Sequence, residues 1–565
     1  MKRKKRHIFR RILLILLLLI VGFIVYYQIA TRILPPDIKN KQALKQEVIQ
    51  RTKDTRIINN HNWLRKSKSG LWEMRLQGQP FDLGVYNGKL TEDLIKIQEL
   101  AFVEQINKIV PSKNYLKFLK YFIGWFNRDI DTYIPQEYLD EIYGISFSCS
   151  HEFDYISPVC ERMLNYHAAH DIGHALTDLA LVGCTSFAVN MNGDSSNLLV
   201  GRNFDFYIND DFAKNKIVVF VEPDSGYRFM YVTWASMMGV VSGMNEQGLT
   251  VTINAAKSNI PTKAAIPISI LAREILQYAS NFNEAIAIAK KRHTFVSESL
   301  LIGSANNNSA LIIEKSPTKM GIYTTGNDYL VCSNHYQSEP FARDKSNLEN
   351  IANSASFYRE ERCEQLITEV DSSFTYRDAA FVLRNPYGLN NQNIGIGNEK
   401  AMAQMISHHS VIFEPEKLIV WVSTQPWQLG EYVAYDLKKV FQLDTVPGED
   451  TYLNDTSLTL PGDPFMQTST FDDFMQYRKW KKVIAEYIKS KERINNEENF
   501  LNDFVKLNPE YYYAYMLTGD YYSIIGNSEK ALAYYRIALT KELETKQNET
   551  ELRERIKEAE EAIAY

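Results

Sequence analysis

The amino-acid sequence predicts a mixed α+β protein with two antiparallel sheets and helices on their outer faces. The first observation is a succession of short strand-like runs after residue 183, joined by the turn sequences NGDSSN, DSGY and NEQG. The second is that helical stretches at 266–292 and about 347–384 separate these runs. Antiparallel strands interrupted by paired helices are typical of sheets covered by helical layers.

Length and composition indicate a folded protein of two or three domains. The chain has 565 residues, of which 45% are hydrophobic and 23% charged. Its 34 Tyr and 28 Phe are enough for a large core or an apolar pocket.

Charge is distributed unevenly along the chain. Residues 1–11 carry seven Lys or Arg and no acid, which leaves 56 basic against 68 acidic residues in the remainder. Phosphate binding needs basic clusters, so this acidic body argues against a nucleic-acid partner.

An apolar run follows the basic segment and predicts a membrane anchor. Residues 12–30 contain no charge, and 19 residues at about 1.5 Å each just cross the hydrocarbon core. Tyr26 and Tyr27 stand where an interfacial aromatic belt belongs. The basic flank should stay cytoplasmic, which predicts a single-pass protein of the cell membrane with its catalytic domain outside. The alternative is a cleaved signal peptide, although the sequence offers no better site than Gln28-Ile29-Ala30.

Changes of texture divide the chain into predicted segments. A polar stretch follows the anchor, a mainly helical part precedes residue 183, strands dominate after it, and a stretch rich in Pro and Asp precedes an all-helical end. The predicted segments are a basic tail 1–11, an anchor 12–30, a stalk 31–62, a helical segment 63–183, a catalytic domain 184–445, a linker 446–470 and a helical domain 471–565.

The helical end resembles one tetratricopeptide repeat in its spacing of small and aromatic residues. The residues that fit this pattern are Tyr515, Gly519, Tyr522, Gly526, Ala531, Tyr535 and Ala538. A single repeat cannot bury its own apolar face, so we expect it to pack on neighbouring helices or on the catalytic domain. A protein partner for this tail is a further expectation.

The candidate catalytic residue is Cys184, at the start of a predicted strand. An isolated Cys is most often a small buried hydrophobic residue. Here a helical segment ends at it, Gly183 precedes it, and the partner strand brings Arg202 and Asp205 near it. Glycine leaves room for attack on its own carbonyl, so the pattern predicts self-cleavage between Gly183 and Cys184.

Such a cut gives Cys184 a free α-amine. An α-amine has a pKa near 7.7–8.0, which suits a base for the neighbouring thiol, and Arg202 would favour the thiolate. Asp205 would hold the ammonium group or a substrate amine. Asn254 and Asn334, each at the end of a predicted strand, are the candidate oxyanion donors, although an Asn in this position more often completes a turn.

Several motifs together resemble the superfamily of choloylglycine hydrolase, acid ceramidase and isopenicillin-N acyltransferase, and most closely its self-cleaving acyltransferase branch. The shared motifs are Cys184-Thr185-Ser186, Gly201 to Asp205 (GRNFD), Asn245-Glu246-x-Gly248-Leu249, Ser333-Asn334, the late strands at His409 to Phe413 and Trp421-Val422, and an early segment with Gly78, Pro80, Phe81, Gly84 and Gly88. The resemblance covers roughly 70–440. It implies an N-terminal nucleophile (Ntn) hydrolase with a four-layer αββα sandwich, Cys184 as nucleophile, Arg202 and Asp205 as its polar neighbours, and Asn254 and Asn334 as the oxyanion and amine-holding residues.

Other candidate sites carry weaker signals. His167, His170 and His174 lie on one face of a predicted helix and could bind a metal, but no matching distant ligands stand out and a hydrogen-bonded helix face explains them as well. Cys149 and Cys160 could pair in an oxidising compartment or remain two buried thiols. No cofactor is predicted.

The predicted function is hydrolysis or transfer at a C–N amide bond through a thioester on Cys184. The anchor and the aromatic content suggest a lipophilic N-acyl substrate. One alternative is an amidase like ceramidase or N-acylethanolamine amidase. An alternative of another class is an inactive, tethered binding protein that presents its helical tail to a partner.

Overall fold

The structure is a computed structural model that describes residues 2–109, 112–168, 183–190, 198–257, 264–370, 373–443, 445–448 and 451–564. Within these ranges the chain forms two β-sheets, with helices before, between and after their strands. The first helices are α1 (Lys2–Ala30), α2 (Pro80–Ile109), α3 (Lys113–Phe126), α4 (Ile130–Tyr133), α5 (Gln136–Ser146) and α6 (Val159–His167). Those between the strands are α7 (Ile268–Tyr278), α8 (Phe282–Lys291), α9 (Lys345–Asn353), α10 (Ser356–Thr368), α11 (Tyr376–Arg384) and α12 (Leu437–Val440).

The larger sheet draws strands from both sides of residue 183. Its strands are β1 (Ile49–Thr52), β2 (Thr55–Ile58), β3 (Asn62–Lys66), β4 (Trp72–Gly78), β7 (Ile217–Pro223), β8 (Phe229–Thr233), β9 (Ser242–Asn245), β10 (Leu249–Ala255), β11 (Glu298–Ser304), β12 (Ser309–Lys315) and β13 (Met320–Tyr323), in that spatial order. Neighbouring strands are antiparallel except β4 and β7, which pair in parallel from Trp72↔Ile217 to Gly78↔Pro223. The sheet is therefore mixed, and the prediction of purely antiparallel sheets was wrong at this pair.

The smaller sheet is antiparallel throughout the part of the chain that the structure describes. Its spatial order is β14 (Tyr329–Cys332), β5 (Thr185–Val189), β6 (Leu199–Phe204), β15 (His409–Glu414), β16 (Ile419–Ser423) and β17 (Tyr432–Asp436). β5 therefore lies between β14 and β6, one strand in from the edge of the sheet.

The two sheets pack face to face, and helices cover their outer faces. Val200 and Val411 of the smaller sheet share one apolar core with Val218 and Leu301 of the larger sheet. On the outer face of the larger sheet, alternate residues of β10 such as Val251 pack against α2, α5, α7 and α8. Phe187, Trp421 and other outward residues of the smaller sheet pack against α10 and α11. The mixed α+β class with two sheets is confirmed.

Two predicted segments differ from the structure. β1 to β4 occupy 49–78, so the prediction of a stalk to 62 and of a helical segment from 63 was wrong there. The apolar residues at helical spacing between 94 and 103 do lie in α2. Upstream of α2, however, the chain forms β4, which is hydrogen-bonded to β7. The long helix predicted at 266–292 is two helices, because Asn281 caps the backbone N–H of Glu284 and starts α8.

The predicted linker lies against the catalytic domain. Leu453 and Leu460 are buried, and Leu460 forms a backbone bridge with Tyr432 of β17. Apolar residues among the Pro, Asp and Thr of this stretch explain why it packs instead of standing free.

The C-terminal residues form five further helices. They are α13 (Ser469–Ser490), α14 (Glu497–Lys506), α15 (Tyr512–Ile524), α16 (Ser528–Ala538) and α17 (Lys546–Ala564). The residues behind the repeat resemblance lie where α15 meets α16, since a Cβ on Gly519 would run into the ring of Tyr535. The helical content of the tail was predicted correctly, while its assignment to the tetratricopeptide repeats stays a prediction.

α1 is long and apolar enough to cross a membrane. The span that meets this criterion is His7–Ala30, and its side chains from His7 to Tyr26 are all exposed in the folded chain. By length and composition alone, a signal sequence would pass the same test.

Two glycines of α2 allow it to lie directly against α5. A Cβ on Gly84 would overlap the carbonyl oxygen of Glu141, and one on Gly88 would come within 2.9 Å of the Ile145 carbonyl oxygen. These are two of the glycines in the early family-like segment, and close helix packing is the physical reason for them.

Gly84→Ala should therefore lower the free energy of unfolding by about 1–3 kcal/mol, because the helices must separate. The clash must also outweigh the gain of about 1 kcal/mol in helix propensity that Ala brings over Gly. Urea denaturation in detergent would measure the change. Gly326→Ala is the control, since a Cβ there meets nothing within 4 Å and should leave stability nearly unchanged. Equal stability of both variants would contradict the close packing of α2 on α5.

Candidate active site

The antiparallel pairing of β5 with β6 brings the predicted site residues together. Thr185 pairs with Asn203, so the residues that precede β5 lie beside those that follow β6. The backbone N–H of Gly183 donates to the carbonyl oxygen of Asp205 over 3.1 Å, which extends the pairing by one step. The pairing thus brings Gly183, Cys184 and Asp205 together at one end of β5 and β6, with Arg202 beside them.

Cys184 is completely buried and is contacted by the guanidinium group of Arg202. The Arg202 Nη2 donates to the Cys184 Sγ at 3.5 Å. Burial raises the pKa of the Cys184 thiol to about 11, and the positive charge of Arg202 opposes part of that rise. In the intact chain the thiol is therefore protonated near neutral pH, and a base is needed to activate it.

Arg202 is fixed between the two sheets. Its side chain alternates with Asn203 along β6 and points toward the larger sheet, where Nη1 donates to the Val241 carbonyl oxygen at 2.6 Å and to the Ser242 hydroxyl. Nη2 also donates to the Ile253 carbonyl oxygen. These acceptors hold the charge beside the sulfur, and no ionised group is among them.

Asp205 is also completely buried. The Ser407 hydroxyl donates to one carboxylate oxygen, and the Gln404 amide lies 3.3 Å from the other. Burial raises the pKa of Asp205 to about 7, although the hydrogen bond from Ser407 and the charges of Arg359 and Arg202 oppose the rise. Asp205 therefore exchanges a proton in the neutral range.

The carbonyl group of Gly183 accepts a short hydrogen bond from a residue that the sequence analysis missed. Gln404 Nε2 donates to the Gly183 oxygen at 2.6 Å. A Cβ on Gly183 would lie 2.7 Å from that same nitrogen, so a larger residue would displace Gln404. Gln404 and Ser407 stand in an irregular segment before β15, AMAQMIS, where no periodicity or spacing marks them.

Asn254 ties the two sheets together. Its Oδ1 accepts from the Ser186 hydroxyl at 3.1 Å, and its Nδ2 donates to the carbonyl oxygens of Cys332 and Ser333 at 2.8 and 3.3 Å. Both amide hydrogens are therefore used away from the Cys184 sulfur. The oxyanion role predicted for Asn254 stays a prediction, and it would require these bonds to rearrange.

Asn334 follows β14 at the same end of the strands and lines an open cavity. Its Nδ2 donates to the Ala255 carbonyl oxygen at 2.9 Å, and its Oδ1 accepts from Arg359 Nη2 at 2.5 Å. Arg359, on α10, also donates to the Thr185 hydroxyl at 3.2 Å. Arg359 is a second buried cation of the site that the sequence did not indicate.

The cavity beside Gly183 has a volume of about 520 Å³. Most of its lining residues are polar or charged, with four aliphatic residues among them. The lining residues are Gly183, Ala255, Ala256, Lys257, Asn334, Glu349, Asn350, Asn353, Ser354, Ala355, Ser356, Arg359, Glu399, Gln404, Ile406, Thr545, Lys546, Gln547 and Thr550. The last four belong to α17 or directly precede it, so the helical tail forms one wall.

The tail also supports the segment that carries Gln404 and Ser407. The Asn508 side chain pairs with both backbone groups of Ile396, at 3.1 and 2.8 Å. Arg478 donates to the Met405 carbonyl oxygen at 3.0 Å, and Met405 shares an apolar core with Phe474 and other tail residues. The helical tail therefore packs directly behind the candidate active site.

The histidine cluster is not assembled as a metal site in the described residues. His167 is buried, its Nδ1 donates to the Met163 carbonyl oxygen at 2.8 Å, and its Nε2 accepts from the Met238 N–H at 3.1 Å. Both ring nitrogens are occupied, and burial lowers its pKa to about 4. His170 and His174 lie outside the described residues.

The remaining cysteines form no disulfide bond. Cys149, Cys160, Cys332 and Cys363 are free thiols in the structure, and the optional pairing of Cys149 with Cys160 is not formed.

One family model matches the part of the chain that carries most of these site residues. Residues 191–425 match the family model described as acyl-coenzyme A:6-aminopenicillanic acid acyl-transferase. The match supports the Ntn hydrolase superfamily, with its acyltransferases and amidases. It covers Arg202, Asp205, Asn254 and Asn334 but begins after Cys184.

Curated relatives are distant. An uncharacterized protein of Archaeoglobus fulgidus is 22% identical over 306 residues, which is 50% of each chain. Protein dcd1B of Dictyostelium discoideum is 21% identical over 263 residues, which is 43% of this chain and 50% of that protein. The chain thus spans about half the length of the curated relatives it matches.

Solved structures align with part of the chain. A Caenorhabditis elegans ortholog of N-acylethanolamine-hydrolyzing acid amidase is 17% identical, with 41% of this chain and 93% of that chain covered and a TM-score of 0.30. A mutant of the conjugated bile acid hydrolase from Clostridium perfringens is 13% identical, with 48% and 95% covered and a TM-score of 0.31.

The buried carboxyl group of Asp205 predicts a specific pH dependence of stability. Its folded pKa of about 7 lies above the ordinary value of 3.8, so the folded state keeps a proton that the unfolded state releases. Stability is therefore lost as pH rises from about 4 to about 7, by roughly 4 kcal/mol for three pKa units. In an uncut Cys184→Ala background, adding Asp205→Asn should raise relative stability progressively over this range, measured by urea denaturation.

Asp93→Asn is the matched control. Burial raises the pKa of Asp93, but the ion pair with Arg56 outweighs this and lowers it below 3.8, so its contribution to stability is nearly complete above pH 4 and the relative stability of the variant should stay almost constant from pH 4 to 7. A difference between the Asp205 variant and its parent that does not change with pH would contradict a buried, protonated Asp205.

Proposed function

We propose that the chain is a membrane-anchored amide hydrolase or acyltransferase that cuts its own Gly183–Cys184 bond and then uses Cys184 as an N-terminal nucleophile. The observation that carries this proposal is the set of contacts on that one peptide unit. Gln404 donates to the Gly183 carbonyl oxygen at 2.6 Å, and Arg202 donates to the Cys184 sulfur at 3.5 Å. One contact polarises the group to be attacked and the other stabilises the attacking sulfur as a thiolate.

Self-cleavage would proceed by an N-to-S acyl shift. The Cys184 sulfur bonds to the Gly183 carbonyl carbon, the C–N bond to Cys184 breaks, and the nitrogen takes up the thiol proton. Asp205, with its raised pKa and its place beside Gly183, is positioned to carry that proton. Water then splits the thioester and leaves the Gly183 carboxylate, the Cys184 thiol and a free α-amine.

Turnover would use the new α-amine as the base. The amine takes the thiol proton, the sulfur adds to the carbonyl carbon of an acyl amide, and the amide C–N bond breaks. The proton passes to the leaving amine, and the acyl group remains on sulfur as a thioester. Attack by water releases an acid, whereas attack by an acceptor amine forms a new amide. Asn334, which faces the cavity, is the better placed of the two predicted oxyanion donors.

The surroundings of Cys184 suggest how the two halves of a substrate would lie. Phe204, next to Cys184 across the β5–β6 pair, begins an aromatic group with Phe206, Phe212 and Trp234, whose rings stand 5.0–6.4 Å apart. An acyl chain would pack against these rings. The cavity beside Gly183, whose lining residues are mostly polar or charged, would take the amine half, so the lipophilic part of the predicted substrate is assigned to the aromatic group.

Intact mass and gel analysis of variants test the nucleophile. The wild-type protein should appear as two fragments, 1–183 and 184–565, that remain associated. Cys184→Ala should be a single inactive chain because both steps need the sulfur, whereas Cys184→Ser should cut slowly. Cys160→Ala, which lies away from the site, should be cut normally. A wild-type protein that hydrolyses acyl amides while uncut would contradict the mechanism, and an uncut, inactive wild type would favour a tethered binding protein.

Gln404→Ala tests the donor to the Gly183 carbonyl group. Loss of one oxyanion donor typically lowers a rate by 10²–10³, and we expect about this slowing of self-cleavage, followed on gels after synthesis. Gln337→Ala is the matched control, since its amide also donates to a backbone carbonyl, that of Val331 at 2.8 Å, away from the cut. If both variants cut at the wild-type rate, Gln404 does not act in the reaction.

A further inference from the structure

α3 connects the catalytic domain to the end of the apolar helix α1. On one side, Phe126 stands with its ring centroid 5.8 Å from that of the buried Phe295, and Ile123 packs against the same core. The Phe126 carbonyl oxygen also accepts a hydrogen bond from the backbone of Ala264 at 3.1 Å. α3 is thus attached firmly to the body of the protein at its C-terminal end.

On another side, α3 meets the last turn of α1 through aromatic contacts. The Tyr27 hydroxyl donates to the Tyr121 carbonyl oxygen at 2.6 Å, and the Tyr27 ring stacks on Trp125 at 6.1 Å. Tyr26 stands 6.2 Å from the same Trp125 ring. These two tyrosines are the residues that the sequence places at the outer boundary of the membrane.

α3 leaves large apolar side chains uncovered beside this boundary. Tyr121 is 59% and Phe122 41% exposed, and Lys120 next to them is exposed as well. Lys120 donates to the carbonyl oxygen of Tyr155, whose own side chain is 65% exposed. Adjacent exposed aromatic residues of this size indicate a surface that contacts something apolar.

The composition of α3 matches the chemistry of a membrane interface. Residues 113–126, KNYLKFLKYFIGWF, contain three Lys, no acid and six aromatic residues. Aromatic rings prefer the headgroup region, and lysines can extend their ammonium groups to lipid phosphates while their stems stay in apolar surroundings. A protein partner for the patch would not explain its position at the end of the apolar span.

We propose that α3 is an interfacial helix that lies in the headgroup region of the bilayer crossed by α1, with Tyr121 and Phe122 inserted among the lipids. This inference rests on the membrane anchor of the proposed function and adds to it a second, peripheral contact. The lipid contact of α3 would limit the tilt of the catalytic domain against the bilayer, which the packing of α3 on the end of α1 does not do by itself.

Site-specific photo-crosslinking to lipid in the full-length protein tests the proposal. A benzophenone amino acid replaces Phe122, Phe381 or Leu19, and each protein is reconstituted in vesicles of phosphatidylcholine and phosphatidylglycerol and irradiated. Phe381, on α11, is 58% exposed and is the matched control, since it too is an exposed helical Phe. Leu19, in the middle of α1, reports on the anchor itself.

We expect lipid adducts, detected by mass spectrometry, at position 19 and at position 122, and at least about tenfold fewer at 381. Adducts at 19 but none above the control at 122 would overturn the interfacial helix and leave the anchor intact. Adducts at 122 that join two protein chains instead of lipid would also overturn it, in favour of an interface between copies. An absence of lipid adducts at 19 would remove the anchor and this inference with it.

Discussion

A positive charge enclosed between two β-sheets is the constraint on which the candidate site depends. Arg202 is completely buried, and its hydrogen-bonding partners are backbone carbonyls, a serine hydroxyl and the sulfur of Cys184. An enclosed cation is costly unless its donors are satisfied and its charge is compensated. Ionisation of the neighbouring thiol would supply that compensation. The same enclosure raises the pKa of Cys184 to about 11, which keeps the thiol protonated until a base reaches it, and raises the pKa of Asp205 to about 7, where that carboxyl group can exchange a proton.

The candidate site also depends on the C-terminal helices. Gln404 and Ser407 belong to an irregular segment that has little regular structure of its own, and the tail holds it through Asn508, Arg478 and a shared apolar core. The tail also forms a wall of the cavity through the start of α17. Sequence changes in the tail can therefore move Gln404, which contacts Gly183 more than 200 residues earlier in the chain.

The sequence predicted those parts of the site that local motifs mark. Cys184, Arg202 and Asp205 sit at strand ends in a recognisable spacing, and the register of one antiparallel pair is enough to bring them together. Gln404 and Arg359 come from other elements, and their positions depend on how α10 and the segment before β15 pack, which no local pattern records. The strands β3 and β4 were missed for a similar reason, since β4 forms a strand by pairing with β7, more than 130 residues later. Asn254 was found by its place at a strand end, but its contacts are those of a tie between sheets.

The parallel pair of β4 and β7 joins the two parts of the chain on either side of the proposed cut. β4 precedes the proposed cut and β7 follows it, and seven residues of each are in register. If the chain is cut as proposed, the fragment that carries Cys184 shares no covalent bond with α1. Noncovalent contacts alone would then hold it to the N-terminal fragment, which supplies four consecutive strands of the larger sheet and packs α2 and α5 on the outer face of that sheet. With α1 in a membrane, the proposed cleavage would turn one anchored chain into a noncovalent heterodimer, and only conditions that break both the β4–β7 pair and the packing of α2 and α5 would release the fragment that carries Cys184.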